Sequence, residues 1–176
     1  MNIHIRQAAS GDGPAVEAML LEAARWVDAL GVRMWDEREL ASDRIASEIR
    51  VGQFFIADFD GDPAGVIRFQ LEDRLFWPDV PQHDSAFVHR LVVRRRYQGQ
   101  GVSTALLEWA VDRARALGKR YLRLDCDEAR PKLRSLYERF GFELHSFRHV
   151  APYDVARYEY PLSPETGRGD AETPET

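Results

Sequence analysis

Arg96-Tyr97-Gln98-Gly99-Gln100-Gly101 stands between an apolar, strand-like run at 91–93 and a helical pattern that begins at Val102. Two glycines let the backbone turn tightly and approach a ligand with no Cβ in the way. The helix that follows turns its unpaired N–H groups and the positive end of its dipole towards the same spot. Arg96 adds a guanidinium fork. Together these read as a cradle for a pyrophosphate. The segment is not a Walker loop, because no Gly-Lys-Ser/Thr closes it, nor a dinucleotide fingerprint, because Thr104 stands where a third glycine would be.

Working outwards, Val102, Ala105, Leu106, Trp109, Ala110, Ala114 and Leu117 form the clearest helical stripe in the chain, closed by Gly118. Before the cradle, 86–93 reads as a strand with Phe87, His89, Leu91 and Val93 on one face and Val88, Arg90 and Val92 on the other. Further upstream, 3–6 alternates as a short strand, and Asp12 and Pro14 open a helix that Gly31 ends. A second helix is expected over 38–50, a β-hairpin over 54–59 and 64–71, and a loop over 72–84. Downstream come a strand at 121–126, a helix at 131–140, and an antiparallel pair at 142–149 and 153–160. The order β-α-α-β-β-β-α-β-α-β-β predicts an α/β (α+β) fold, a mixed sheet with helices on both faces.

At 176 residues, 44% apolar and 30% charged, the chain suits one domain with a proper core. A net charge of −5 argues against nucleic acid as a partner. No apolar run approaches the ~20 residues that span a bilayer, and the first residues lack a signal-peptide pattern. The single cysteine, Cys126, permits no internal disulfide, so a reducing cytoplasm is expected. Past Ser163, four acids (Glu165, Asp170, Glu172, Glu175) face only Arg168, with no large apolar residue. The domain is therefore expected over 1–162, with an acidic disordered tail over 163–176.

Two segments resemble one family. His89-Arg90-Leu91-Val92-Val93 with the glycine turn and Ala105-Leu106-Leu107 is similar to the acetyl-CoA-binding core of the GCN5-related N-acetyltransferases (GNAT). So is Arg130-Pro131-Lys132-Leu133-Arg134-Ser135-Leu136-Tyr137-Glu138-Arg139-Phe140-Gly141-Phe142. The resemblance covers roughly 1–162 and is sharpest over 86–142. It implies a mostly antiparallel sheet of about seven strands, with two central strands splayed to admit the cofactor.

The resemblance also implies site residues. The cosubstrate would be acetyl-CoA, with its pyrophosphate on the N–H groups of Gln98, Gly99, Gln100, Gly101, Val102 and Ser103, beside Arg96. Backbone groups near Leu91 and Val93 would pair with pantetheine, and the Val92 N–H would receive the oxyanion. Arg130 departs from the asparagine that bonds pantetheine in many relatives, and a guanidinium has donors but no acceptor. Tyr137 matches the tyrosine placed beside the cofactor sulfur as general acid, while its i, i+3, i+4, i+7 spacing with Leu133, Leu136 and Phe140 also suits packing.

Transfer to an amine whose pKa is about 10.4 requires a base. His89 is the first choice, with Glu72, Asp73 and Asp84 as rivals. Trp26, Trp35, Phe76 and Trp77 with Glu72, Asp73, Asp79 and Asp84 would frame an apolar, partly anionic acceptor pocket that favours a hydrophobic or cationic amine. Cys126 is a small buried residue sooner than a ping-pong nucleophile. No metal-ligand spacing is evident. The expected activity is N-acetylation of a small-molecule or peptide primary amine in a ternary complex, by a monomer or homodimer. A non-catalytic acetyl-CoA-binding module and a protein N-acetyltransferase are the alternatives.

Overall fold

The computed structural model describes residues 1–162. The expected acidic tail lies outside the described residues. Seven strands form one sheet in the order β1-β2-β3-β4-β5-β7-β6, comprising β1 (Ile3–Gln7), β2 (Phe54–Phe59), β3 (Asp62–Gln70), β4 (Ser85–Val93), β5 (Tyr121–Asp127), β6 (Glu143–Val150) and β7 (Tyr153–Pro161). Every neighbouring pair is antiparallel except β4 and β5. Four helices cover the faces: α1 (Gly13–Ala29), α2 (Ser42–Arg50), α3 (Val102–Ala116) and α4 (Pro131–Phe140). The expected helix at 38–50 divides into a 3-10 turn, Glu37–Leu40, and α2.

Strand β2 shows why the sheet is sandwiched. Phe54 and Ile56 belong to a core with Val16, Met19 and Leu20 of α1 and Ile45 and Ile49 of α2. Phe55, Ala57 and Phe59 belong to a second core with Leu106, Leu107 and Ala110 of α3. Alternate side chains of a strand point to opposite faces, so an apolar run that alternates between two cores is a strand buried on both sides. Each fully buried Leu or Phe contributes about 2 kcal/mol by leaving water.

Helix α3 packs close to the sheet at Gly65 in β3. A Cβ there would lie 2.8 Å from Val92 O and 2.9 Å from Val102 Cγ1. Only glycine allows that approach.

Strands β4 and β5 pair only from Ser85↔Tyr121 to Val88↔Leu124. Beyond this, β4 stays with β3 up to Val93, while β5 stays with β7 up to Asp127. A wedge therefore opens in mid-sheet, beginning at His89 and Asp125.

A bulge sets what faces the wedge. Val66 pairs with Val92 and Arg68 with His89, so Arg90 and Leu91 together oppose Ile67. Arg90 has φ +53, a left-handed conformation, which costs a non-glycine residue about 1–2 kcal/mol. Strand phase flips there. Ala86 and Val88 face the α3 core, yet Val92 faces the α1 core. The expected separation of His89 and Arg90 onto opposite faces is therefore corrected: both now look towards the α1–α2 side.

Candidate active site

The wedge continues into a cavity of about 950 Å³ that runs from the start of α3 to α1 and the 71–84 loop. At one end lies the glycine turn. Gly99 and Gly101 have φ of +74 and +84, and a Cβ on either would meet nothing within 4 Å, so the backbone faces open space. Helix α3 has no side-chain cap, with Gly101 at its N-cap. Among the described residues, the backbone N–H groups of Gly99, Gly101, Val102 and Ser103 have no backbone acceptor. Uncapped N–H groups at a helix start, with its dipole, form an anion site.

The expected cradle needs two corrections. The N–H groups of Gln98 and Gln100 are used inside the turn, on Arg95 O and Tyr97 O. Gln98 still lines the cavity, as do Leu91, Val92, Val93, Gly99, Gly101, Val102, Ser103, Arg130 and Tyr137, whereas Arg96 and Gln100 do not. Arg95 lines it instead, stacked 4.2 Å over the Trp26 ring. Residues 95–97 form a 3-10 turn, in which successive side chains diverge by a third of a turn. That rotation sends Arg96 onto Tyr97, 4.8 Å from its ring.

At the other end His89 is held between two carboxylates. Its Nε2 is 2.8 Å from Asp73 Oδ2, and its Nδ1 is 3.7 Å from Asp125 Oδ2. Asp73 is itself fixed, because its Oδ1 accepts the N–H groups of Leu75 and Phe76 at 3.2 and 2.9 Å. Burial lowers the basicity of His89, but the Asp125 charge and the Asp73 hydrogen bond outweigh it and hold the imidazole above its ordinary value. Burial, aided by the Asp73 charge, pushes Asp125 up to about 6 despite the opposing effect of His89. Burial also raises Asp73, but the His89 hydrogen bond wins and keeps it below the usual carboxylate range.

These three residues place one ligand atom each within 4.8 Å of one another. A metal chelate needs donors that converge on one point. Here the carboxylates address different ring nitrogens, and Asp73 is occupied by one of them. The arrangement orients and charges an imidazole.

Tyr137 is buried, with its ring packed against Phe142 and Tyr158 at 5.9 and 6.3 Å. It also lines the cavity. Burial pushes the phenol well above its usual value, so it stays protonated and able to donate. Cys126 lines the cavity too, but burial and the Asp125 charge push its thiol up to about 12. A thiol held that high is not a nucleophile near neutrality.

Of the residues expected around the acceptor, Trp26, Trp35, Glu72, Asp73 and Phe76 line the cavity. Trp77 and Asp84 do not. The Trp77 backbone N–H donates to Asp73 O, and its indole is fully buried with the Arg157 guanidinium 4.6 Å from the ring. Asp84 sits at the closed end of the β4–β5 pair, on Ser85 Oγ at 2.7 Å and Arg123 at 3.4 Å. Asp79, expected in the same pocket, is gripped by both Nη atoms of Arg157 at 2.6 and 2.9 Å. The acceptor end also carries Arg44, Arg68 and Arg90.

Asp125, Arg68 and Arg90 were not singled out from the sequence. Asp125, like Arg123, is a charged residue alternating with Leu122, Leu124 and Cys126, and that was the available signal for it. For Arg90 the bulge is a tertiary feature with no local signature.

The family model for the acetyltransferase (GNAT) family matches residues 20–142. The uncharacterized N-acetyltransferase YesJ of Bacillus subtilis is 30% identical over 138 residues, which is 75% of this chain and 77% of YesJ. A crystal structure of a GNAT-family acetyltransferase from Listeria monocytogenes superposes with a TM-score of 0.75 at 22% identity, covering 91% of this chain and 95% of that one. YncA of Salmonella typhimurium, solved with its cofactor acetyl-CoA, gives 0.71 at 19% identity over 97% of this chain and 99% of YncA. With the splayed strands and the open glycine turn already in place, the chain belongs to the GNAT family of acetyltransferases.

Proposed function

We propose that the chain transfers an acetyl group from acetyl-CoA to a small primary amine, by direct attack within a ternary complex. One observation carries the reading: a single cavity joins an anion cradle at the start of α3 to an imidazole charged by two carboxylates. The solved relative YncA holds acetyl-CoA, and the uncapped N–H groups here suit its pyrophosphate. Arg130 Nη1 lies 3.4 Å from Met34 Sδ, both on the cavity wall. In this reading that contact, between segments 96 residues apart in sequence, narrows the cavity and favours a small acceptor over a polypeptide.

In this reading Asp73 accepts the proton on His89 Nε2, which leaves the Nδ1 lone pair free. The ammonium of the acceptor gives one proton to His89, directly or through water. The amine nitrogen then bonds to the thioester carbonyl carbon and loses its second proton to solvent, and the C–S bond breaks. Tyr137 protonates the departing sulfur and recovers a proton from solvent. The products are an N-acetyl amine and free CoA thiol, with one proton released in all.

Thiol release over an amine panel tests this. We expect release that depends on both substrates, with intersecting initial-rate lines. Tight acetyl-CoA binding without release for any amine would favour a binding module. Release with peptides alone would favour a protein acetyltransferase.

A further inference from the structure

Arg90 is a buried cation at the acceptor end with an unpartnered donor. Its side chain is 4% exposed. Among the described residues its Nη1 has no hydrogen-bond partner, although it is buried. Its nearest carboxylate oxygen is Glu48 Oε2, at 3.9 Å, too far for a hydrogen bond.

Glu48 is engaged through one oxygen only, and its Oε2 has no hydrogen-bond partner among the described residues. Its Oε1 takes Arg44 Nε and Arg68 Nη1, both at 3.2 Å. Arg68 completes its own bonding on Gln53 Oε1, at 3.0 and 2.8 Å. Glu39, the other acid facing Arg90, accepts the Tyr153 hydroxyl at 2.6 Å and the Asp36 N–H at 2.9 Å. One buried carboxylate thus faces three guanidiniums, an excess of positive charge, and Arg90 is the one that makes no hydrogen bond to it. A buried guanidinium with idle donors is costly unless an anion arrives.

The surroundings present this group to the cavity. The bulge turns Arg90 to the same side as His89, and both line the cavity. The Trp35 ring lies 5.7 Å from the guanidinium carbon and steadies the plane of the fork. The acceptor end of the cavity therefore carries both a proton acceptor, His89, and an anion acceptor, Arg90.

We propose that the acceptor is an amino-acid-like zwitterion: a small primary amine whose carboxylate, or an equivalent phosphonate, binds Arg90 while its amine faces His89. The proposal deepens the reading of the activity above and rests on it. It differs from the expectation of a purely cationic or hydrophobic amine, because Asp79, Asp84 and Asp73 are held by Arg157, Arg123 and His89, and Glu72 lies 3.6 Å from Arg74.

The experiment compares matched triplets: an amino acid, its decarboxylated amine and its aminophosphonic analogue, for several side chains. Thiol release with the wild-type chain reads kcat/KM, and calorimetry on CoA-saturated protein reads binding of the same compounds. We expect the carboxylate or the phosphonate member to exceed the decarboxylated amine by about tenfold or more, as for hydrogen bonds to a charged group. The preferred oxyanion identifies which of the two the site takes.

In Arg90→Asn, chosen because asparagine tolerates positive φ, that ratio should collapse towards one, and Arg90→Lys should restore part of it. Decarboxylated amines that match or beat their acids, or a ratio unchanged in Arg90→Asn, would overturn the proposal while leaving N-acetylation standing. Acids that bind through Arg90 but are never acetylated would support the anion site and remove the catalytic reading instead.

Discussion

Asp73 Oδ2 lies 2.8 Å from His89 Nε2, and the other oxygen of the same carboxylate is held by two backbone N–H groups. Asp73 is a positioning residue: it fixes the tautomer and charge of the imidazole without needing to touch substrate. Because a base works in its neutral form, the acidic limb of the pH–rate profile marks the His89 pKa. That pKa is raised, so the limb should lie above the ordinary value of about 6.5. Asp73→Asn removes a negative charge that favours imidazolium, so the limb should move to lower pH. In His89→Gln the limb should vanish with most of kcat. If it stays where it was in His89→Gln, another group is the base.

Tyr137→Phe separates the ring from the hydroxyl. The ring packs on Phe142 and Tyr158, and phenylalanine keeps those contacts, so the fold should survive with Tm nearly unchanged. Loss of a proton donor to the sulfur should lower kcat by roughly tenfold or more. Acetyl-CoA affinity should change little, because the proposed pyrophosphate cradle at the start of α3 lies at the far end of the cavity. An unchanged kcat would return Tyr137 to a packing role.

Much of the fold was legible because it is local. Phe54 to Phe59 alternate between two cores, and the α3 stripe ends at Gly118, whose φ of +70 stops the helix. The site was less legible, for three identifiable reasons. The β4 bulge reverses strand phase at Arg90, and register is set by the partner strand, not by the segment itself. The 3-10 turn decides that Arg95, and not Arg96, reaches Trp26. Asp125 reaches His89 only because β5 pairs with β4 in parallel up to Leu124 and no further. The bulge and the Asp125 contact depend on strands distant in sequence, and the turn, though local, matters only through where α1 places Trp26.

Two glycines should fail in different ways. In Gly65→Ala the new methyl would meet Val92 O and Val102 Cγ1 at 2.8 and 2.9 Å. Overpacking of this kind costs about 2 kcal/mol, which lowers Tm by about 4–8 °C in a chain of this size. Gly101→Ala meets no neighbour, but its φ of +84 strains an L-residue, and the methyl would stand over the cradle. We expect the acetyl-CoA KM to rise about tenfold with a smaller change in Tm, since the strain is only about 1–2 kcal/mol. Thermal melts and cofactor titrations on both variants check the contrast. Equal effects on affinity would mean that the glycine turn does not hold the cofactor.

Cys126 tests the order of events. It stands on the cavity wall beside Asp125 and Tyr137, where an acetylated thiol would be well placed for ping-pong transfer. Its thiol is nevertheless pushed up to about 12, so at neutral pH the thiolate fraction is roughly one part in 100,000. Cys126→Ala should therefore keep kcat within about twofold and lose no more than about 1 kcal/mol of stability, the cost of a small void. Initial-rate lines should still intersect, as sequential binding requires. A collapse of kcat together with parallel lines in the wild-type chain would put the acetyl group on sulfur first, and would reassign Tyr137 from acid to neighbour of a nucleophile.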